Sequence, residues 1–478
     1  MSKSSVITVV ILIVLTVVGW FTLLGDAGSE KKMYKEAVKT GDEWCEMGLY
    51  LRATRKYREA IEIDSNEKVW DKMINAYALA YEEEPEIKSD YIDILVEALT
   101  VSPGDYGYAS VLADLYVSKN DYLEAYECLV AVDEYGINEK RDQDALDEQI
   151  REVRYSYQLK GTEYNEFLSF ANECYSVMKI DNNGLEKWNV IDGEGSGILD
   201  NDKQYAFIGM FNEDEVRVMT TYEEKIDDEG KKYLEAKDGR IRDEDDVTLG
   251  IFEDFVEWAG IYSDDRMPAK LVGNDYYAYY DSFAQEVCGG YEAVGTFKDG
   301  NAAVCKDGDW FIIDVEGEKD GDEFYEIKLD SNGYYNANDI IIAAEKEGEY
   351  CLYDDEWEKI GKFECDDMDI CTEDKIIAFK DGDKWGFVDE EGDVVIDPEY
   401  SDAKSFSNGL AAVCIDGKWG FIDMDNNLVI PCQYDDADYF NEMGSCMIKT
   451  ISTESLEDPE APTEYVWKMI TLRIAEVD

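Results

Sequence analysis

Two segments of the chain repeat one pattern without a gap. Residues 297–314 read FKDGNAAVCKDGDWFIID, and residues 406–423 read FSNGLAAVCIDGKWGFID. A third copy begins at Trp385, 34 residues before Trp419. Self-similarity at a fixed period is typical of repeat architectures, in which each unit buries its apolar face against a neighbour. The repeat therefore restricts the fold of this part of the chain to a regular array.

Each unit has the pattern of a β-hairpin. Ala-Ala-Val is followed by an Asp-Gly turn and then by alternating aromatic and apolar residues, and glycine supplies the positive φ that such a turn requires. A further short strand is predicted at residues 394–396. Units of roughly 35–45 residues suit a propeller blade or a coil of a β-solenoid. We predict a propeller-like ring, with a β-solenoid as the alternative.

These residues resemble the WG-repeat family of bacterial proteins, whose signature is Gly-Leu-Ala-x-Val, a turn, and Lys-Trp-Gly-Phe-Ile-Asp. Weaker copies with tyrosine in phase occur at residues 277–281 and 350–354, and a first unit ends at residues 188–192. The array predicts an all-β domain over residues 163–478, with the chain end as its closing strand. The structural motif positions are Trp310, Trp385, Gly386, Phe387, Trp419, Gly420 and Phe421. We expect the tryptophans to fill the space between units, although such rings also stack on sugars or peptides.

A second, helical repeat precedes the β-repeats. Gly48-x-Tyr50-x-x-Ala53 recurs as Asn120-x-Tyr122-x-x-Ala125, and similar small and large residues lie between the two copies. The pattern resembles tetratricopeptide (TPR) repeats, and it predicts an α-solenoid arm of three units over residues 30–160, with an added helix from about 141 to 159. By the family's pattern, the positions facing the concave groove are Asp71, Asn75, Ser110 and Asp114. The arm is alternatively a spacer.

The first 29 residues are predicted to form a membrane anchor. The segment from Val6 to Leu24 carries no charge, and a helix of that length spans roughly one hydrocarbon core. A cleaved signal peptide is the rival interpretation, but its apolar region is usually shorter. Lysines after the segment favour a cytoplasmic body by the positive-inside rule. The short tail followed by a long apolar run favours export, and we place the body outside the cytoplasm.

Charge and composition exclude several functions. The 111 acidic against 45 basic residues repel phosphate backbones, so we expect no nucleic-acid partner. Histidine is absent, which removes the commonest general base and zinc ligand. The eleven cysteines show no CxxC spacing, and we expect buried free thiols. Asp423-x-Asp425-x-Asn427 has calcium-loop character, but turn formation explains these residues more simply.

The sequence predicts an α plus β multidomain protein without enzymatic activity. We expect a single-pass protein of the cell membrane that binds a protein or peptide partner through its repeat surfaces, with no catalytic residue, metal or cofactor. The alternative is a carbohydrate-binding or carbohydrate-active protein on the same β-ring, because two carboxylates suffice for glycoside hydrolysis. Convergence of acidic side chains with raised pKa values in one cleft would favour that alternative.

Overall fold

A computed structural model describes residues 27–171, 173–199, 205–211, 216–226, 232–237, 239–243, 247–457 and 463–475. The chain divides into two compact units, a helical unit that ends at Ser156 and a β unit that begins at Tyr157. The segment from Val6 to Leu24 lies outside the described residues. Among the helices that are described, none combines the length and the apolar character needed to cross a membrane.

The helical unit consists of successive helices that pack on their neighbours along the chain. They are α1 (Ala27–Glu46), α2 (Tyr50–Ile63), α3 (Glu67–Glu83), α4 (Lys88–Val101), α5 (Tyr106–Val117), α6 (Tyr122–Tyr135) and α7 (Gln143–Arg154). In α2 the buried residues Ala53, Tyr57, Ala60 and Ile61 recur at helical spacing and form one apolar face. Trp70 of α3 is 2% exposed and belongs to the same core.

The last predicted helix is shorter than expected. It ends at Arg154 rather than near residue 159, and residues 157–159 form a strand of the β unit instead. The strand Tyr157–Leu159 pairs with Tyr465–Leu472, so tertiary pairing overrides the helical pattern there. The β unit therefore starts at Tyr157, before the predicted boundary at residue 163.

The β unit is built from antiparallel sheets in chain order. The first sheet has eight strands: β2 (Glu166–Phe167), β3 (Cys174–Ile180), β4 (Glu186–Asp192), β5 (Tyr205–Phe211), β6 (Arg217–Ile226), β7 (Lys232–Ala236), β8 (Arg240–Arg242) and β9 (Thr248–Ile251). Each later sheet has four strands. The next two are β10–β13 (Val256–Ala259, Met267–Leu271, Tyr277–Tyr280, Glu286–Tyr291) and β14–β17 (Ala293–Val294, Asn301–Lys306, Asp309–Asp314, Lys319–Phe324).

The remaining sheets hold the clearest copies of the repeat. They are β18–β21 (Glu326–Ile327, Ile341–Lys346, Glu349–Tyr353, Lys359–Glu364), β22–β25 (Asp367–Met368, Ile377–Asp381, Lys384–Val388, Val394–Tyr400) and β26–β29 (Asp402–Ala403, Leu410–Ile415, Lys418–Asp423, Leu428–Tyr434). The closing sheet combines β30 (Asp436–Ala437), β31 (Ser445–Ile451) and β32 (Tyr465–Leu472) with β1 (Tyr157–Leu159). A short helix, α8 (Thr453–Glu457), lies between β31 and β32.

The closing sheet joins the two ends of the β unit. Its outer strand β1 comes from the start of the unit, and its other three strands come from the end. Tyr164 adds two backbone hydrogen bonds to Trp467, at 2.8 and 2.9 Å. The unit is therefore a closed series of antiparallel sheets, which agrees with the propeller-like prediction rather than with the solenoid alternative.

The glycine of the Trp-Gly-Phe motif is required by the approach of the next strand. A Cβ on Gly420 would lie 2.4 Å from the carbonyl oxygen of Ile430 and 2.8 Å from the carbonyl carbon of Pro431. The pairing of β28 with β29 shifts register at this point, between Trp419 and Phe421. Gly386 repeats this geometry, because its added Cβ would lie 2.5 Å from the carbonyl oxygen of Ile396 and 2.9 Å from the carbonyl carbon of Asp397. The repeat thus encodes a bulged outer strand that packs onto a bare backbone.

The aspartate that ends the motif organises the following turn. The Oδ1 atom of Asp423 accepts hydrogen bonds from the backbone N–H groups of Asp425 (3.1 Å) and Asn427 (2.8 Å). Asp314 and Asp354 repeat this geometry in earlier sheets. Such a side-chain-to-backbone turn accounts for the Asp-rich pattern around Asp423 without a bound ion.

Fully buried phenylalanines join neighbouring sheets. Phe421 of β28 packs edge to face against Phe440, with ring centroids 4.8 Å apart, and Phe387 of β24 packs on Phe406 at 4.9 Å. All four rings are at most 1% exposed. The eleven cysteines are free thiols, each buried or partly buried, as the sequence predicts.

Candidate functional site

The side chains of interest extend from the innermost strands. Each of the last five sheets begins with a two-residue strand, and the segment around it alternates apolar and polar residues. Ala403 and Ala437 are buried in the core, whereas Asp402 and Asp436 next to them are only partly buried. Alternation of this kind directs one set of side chains to the core and the other to the inner surface of the ring. We call the residues Asp330, Asp369, Lys404, Asp438 and Tyr439 the inner-strand cluster.

The inner-strand cluster spans sheets that are not neighbours in the chain. The hydroxyl oxygen of Tyr439, in the closing sheet, lies 2.7 Å from each carboxylate oxygen of Asp369. The whole sheet β26–β29 lies between these two residues in sequence. The same carboxylate accepts a hydrogen bond from the backbone N–H of Ser405, which belongs to that intervening sheet, at 2.6 Å. One carboxylate therefore ties three successive sheets together.

Lys404 is the cation of the cluster. Its Nζ lies 3.5 Å from a carboxylate oxygen of Asp438 and 5.0 Å from the centre of the Tyr439 ring. Burial lowers the pKa of Lys404, but Asp438, Asp436 and Asp369 outweigh this effect and raise it. Burial also raises the pKa of Tyr439, and Asp369 adds to that shift. Lys404 therefore stays charged and Tyr439 stays protonated at neutral pH.

Asp330 stands at the edge of the cluster in a tight turn. Its Oδ1 atom accepts hydrogen bonds from the backbone N–H groups of Asn332 (2.9 Å) and Tyr334 (2.7 Å). Burial nevertheless raises the pKa of Asp330 to about 6, because these bonds and Lys298 offset it only in part. The turn is joined to the preceding sheet through Thr296, whose backbone N–H donates to the carbonyl oxygen of Gly333 at 2.7 Å.

A second group lies beside the cluster, at the start of the sheets β18–β21 and β22–β25. Lys328 pairs with Glu326 at 2.9 Å and with Asp367 at 2.8 Å. The Tyr350 hydroxyl donates to Glu326 and lies 3.3 Å from Asp367. As in the inner-strand cluster, a lysine and a tyrosine here contact carboxylates that belong to neighbouring sheets.

The inner strands carry a clear excess of negative charge. Seven carboxylates face two lysines, and all nine residues are partly exposed: Glu326, Asp330, Asp367, Asp369, Asp402, Asp436 and Asp438 against Lys328 and Lys404. Every one of the seven carboxylates accepts a hydrogen bond or forms an ion pair. The acidic side chains thus converge, as a glycosidase would require. Asp367 and Asp369 are engaged in contacts between sheets, whereas Asp402 and Asp436 accept from the backbone N–H of the next residue.

No metal centre is found in the described part of the chain. Among the described residues, no group of three or more cysteine and carboxylate side chains is arranged to hold an ion. The two oxygens of Asp423 are also bonded to the side-chain amide of Asn427, each at 3.0 Å.

The four predicted groove residues of the helical unit are placed mostly in contacts between helices. Asp71 of α3 accepts a hydrogen bond from the Tyr108 hydroxyl of α5 at 2.5 Å. Gln149 of α7 donates to Asp114 (3.2 Å) and to the carbonyl oxygen of Ser110 (3.3 Å). Asn75 is exposed. Asp71 and Asp114 thus join alternate helices, a use that the groove pattern did not indicate.

The tryptophans of the β-repeat are partly buried. Trp310 and Trp385 pack against apolar clusters that extend into the next sheet, but neither is fully enclosed, and Trp419 is also partly buried.

Sequence analysis missed the inner-strand residues because acidic positions are common in this chain. Their signal was a shared offset, since Asp402 and Asp436 each lie two residues after the repeated tyrosines Tyr400 and Tyr434.

The fold and the site define a class: a helical N-terminal region followed by a closed, multi-sheet β-repeat unit with an acidic inner surface. A family model described as "WG containing repeat" matches residues 385–419 and 419–444. No curated protein matches the chain.

The solved structures similar to this chain include two that are described as propellers. BamB from Moraxella catarrhalis is 9% identical, with a TM-score of 0.41, covering 66% of this chain and 100% of that one. The Dos1 propeller is 8% identical with a TM-score of 0.39 and coverage of 66% and 94%. The Cps50 (Swd1) β-propeller domain of Myceliophteria thermophila is 8% identical with a TM-score of 0.30 and coverage of 66% and 98%.

Proposed function

We propose that the protein is a non-enzymatic interaction protein of the cell envelope, and that the inner-strand surface of its β unit holds a positively charged segment of a protein partner. The observation that carries this proposal is the contact of Tyr439 and Ser405 with Asp369, which fixes three sheets around partly exposed carboxylates. A surface that is already ordered loses little conformational entropy when a partner binds. We interpret the helical unit as a TPR-like arm.

Charge supports a cationic partner. The chain carries a formal charge of −66, and the inner strands add a local excess of carboxylates. Complementary charge accelerates association and excludes partners of the wrong sign. The contacts of Asp367 and Asp369 also favour binding over acid–base catalysis at these two residues, because a group that holds two or three sheets together is poorly placed to exchange protons with a substrate.

We further propose that the segment from Val6 to Leu24 anchors the protein in the cell membrane with its body outside the cytoplasm. Support comes from the sequence alone: the segment is uncharged and long enough to span a bilayer core. N-terminal sequencing of protein extracted from membranes tests retention of the anchor. A mature chain that starts after Leu24 would replace the anchor with a cleaved signal peptide.

The partner proposal is tested with a fluorescein-labelled peptide of about ten lysines and the full chain in detergent micelles. We expect saturable binding that weakens as salt is raised, because exposed charges are screened. The double variant Asp402→Asn/Asp436→Asn removes two inner-strand charges, while each amide keeps the oxygen that accepts from Ala403 or Ala437. It should bind about two- to thirtyfold more weakly, at roughly 0.2–1 kcal/mol for each of the two exposed charge pairs.

The control is Asp416→Asn, which removes a charge of the same kind from the exposed hairpin turn between β27 and β28. It should leave peptide binding unchanged. Equal affinity of the wild type and the double variant, or equal binding of a glutamate peptide of the same length, would refute the inner-strand surface as the binding site.

A further inference from the structure

A cleft of about 550 Å³ lies on the face of strands β3 and β4, away from the inner strands. Val177 and Ile191 at its base belong to the apolar core shared with β31 and β32. Tyr164 contributes aromatic surface to its wall. The ring of Trp188, which stands between Lys187 and Asn189 on β4, lies on the other face of the sheet against Phe207. The volume falls within the range of small-molecule sites, in which an apolar wall is combined with a few polar groups.

Two lysines stand directly opposite each other in this cleft. Lys179 of β3 pairs in register with Lys187 of β4, so both side chains project from the same face of the sheet. Like charges in this position destabilise a strand pair. Asp181 compensates Lys187, with 3.0 Å between the charged atoms. Among the described residues, no carboxylate forms such an ion pair with Lys179.

Lys179 has no ionic partner among the described residues. Its Nζ lies 4.9 Å from the centre of the Tyr164 ring, and it forms no hydrogen bond or ion pair within the described chain. The nearby carboxylate of Glu163 is engaged with Lys468 at 3.0 Å and with Thr453. Burial lowers the pKa of Lys179, and Glu163 offsets that shift only in part.

An amide donor lies next to this lysine on the same face. Asn189 pairs in register with Val177. Val177 lies two residues before Lys179 on β3, so Asn189 and Lys179 are on the same face of the sheet. Its Oδ1 accepts from the backbone N–H of Val190 at 2.8 Å, and its Nδ2 finds no acceptor among the described residues. The cleft therefore presents two donors that are unused among the described residues, one of them charged, beside the ring of Tyr164.

We propose that this cleft binds a small organic carboxylate, with Lys179 and Asn189 holding the two carboxylate oxygens and the apolar part of the ligand lying beside Tyr164. A single negative charge matches Lys179, which has no ionic partner in the described part of the chain. A planar group with two acceptor oxygens matches two separate donors. A dianion such as phosphate is disfavoured, because the formal charge of −66 repels it twice as strongly. This site is independent of the inner-strand surface.

The test uses saturation-transfer NMR on the full chain in micelles, with benzoate as the probe and benzamide as its neutral counterpart. Benzoate should bind saturably and benzamide should not. Lys179→Gln should weaken benzoate binding about tenfold, as expected for the loss of a charge-assisted hydrogen bond. Lys179→Arg keeps the charge and should retain binding, which separates a binding defect from a folding defect.

Lys449→Gln is the matched control, because Lys449 also lies over an aromatic ring, 5.2 Å from the centre of Trp467, but outside the cleft. It should leave benzoate binding unchanged. The proposal is overturned if benzamide binds as well as benzoate, if Lys179→Gln binds like the wild type, or if inorganic phosphate displaces benzoate at equal concentration. Failure of the lysine-peptide test at the inner strands would not affect this result.

Discussion

Tyr439 of the closing sheet and Asp369 of the sheet two positions earlier are joined by a hydroxyl oxygen 2.7 Å from both carboxylate oxygens. The intervening sheet joins the same carboxylate through the backbone N–H of Ser405. Contacts that skip a sheet arise where inner strands converge, so this pair connects the closure of the ring with its inner surface.

Removing the hydroxyl of Tyr439 should destabilise the β unit. Tyr439→Phe keeps the ring and deletes a hydrogen bond to a charged group, which typically contributes ~1.5–3 kcal/mol. We expect a lower urea midpoint for the β-sheet transition, followed by circular dichroism. Tyr465→Phe, at a tyrosine that is 49% exposed, is the control and should be neutral. An unchanged midpoint for Tyr439→Phe would mean that the contact contributes nothing to closure.

The Trp-Gly-Phe glycine should not tolerate a side chain. Gly420→Ala places a Cβ 2.4 Å from the carbonyl oxygen of Ile430, and the neighbouring backbone must shift. Overpacking of this kind costs about 1–3 kcal/mol. Gly161→Ala is the matched control, because nothing lies within 4 Å of its added Cβ. Thermal unfolding of both variants measures the difference, and equal melting temperatures would contradict the proposed role of the bulged strand.

Within the same motif, the phenylalanine should matter more than the tryptophan. Phe421 is 0% exposed and packs on Phe440, whereas Trp419 is only partly buried. We expect Phe421→Ala to cost about 3–5 kcal/mol and Trp419→Ala clearly less. Urea unfolding of the two variants ranks them. A larger loss for Trp419→Ala would restore the tryptophan as the main filler between sheets.

This ranking illustrates what the sequence could and could not predict. The period, the hairpins, the closing strand and the buried cysteines follow from local patterns, because alternation and turn residues are encoded within each unit. The relative burial of Trp419 and Phe421 could not be predicted in this way. Both residues lie on one face of the strand, and only their distance from the Asp416-Gly417 turn distinguishes them in the sequence. Likewise, Asp369 looks like any other acidic residue until the sheets bring it to Tyr439.

Asp330 should make the β unit lose stability as pH rises. Its pKa is raised from 3.8 to about 6 in the folded state, so between these values the native protein binds more protons than the unfolded chain. Stability from this group is therefore greatest below pH ~4 and declines through pH ~6. Asp330→Asn keeps the oxygen that accepts from Asn332 and Tyr334, and it should remove this decline.

The measurement compares the urea midpoints of wild type and Asp330→Asn at pH 4.5 and pH 7.5. The advantage of the variant should be larger at the higher pH. Asp354→Asn, which has the same turn geometry in the same sheet array, controls for effects of the substitution itself. A pH-independent difference between wild type and Asp330→Asn would rule out titration of this group in the window.

Closure of the ring should depend on the last strand. β32 is paired on one side with β31 and on the other with β1, so deleting residues 462–478 exposes two sheet edges at once. Exposed edges of this kind invite pairing with other chains. We expect the truncated protein to aggregate or to lose its single cooperative transition, as followed by light scattering and thermal unfolding. In an open array each unit depends only on its neighbours, and truncation would merely shorten the array.

The variant Lys160→Pro disturbs the same pairing more mildly. It removes the backbone N–H of Lys160, which donates to the carbonyl oxygen of Met469 at 2.8 Å, and it leaves every strand present. A truncated protein that stays monomeric and unfolds in one sharp transition would show that the β1–β32 pairing is dispensable for the β unit.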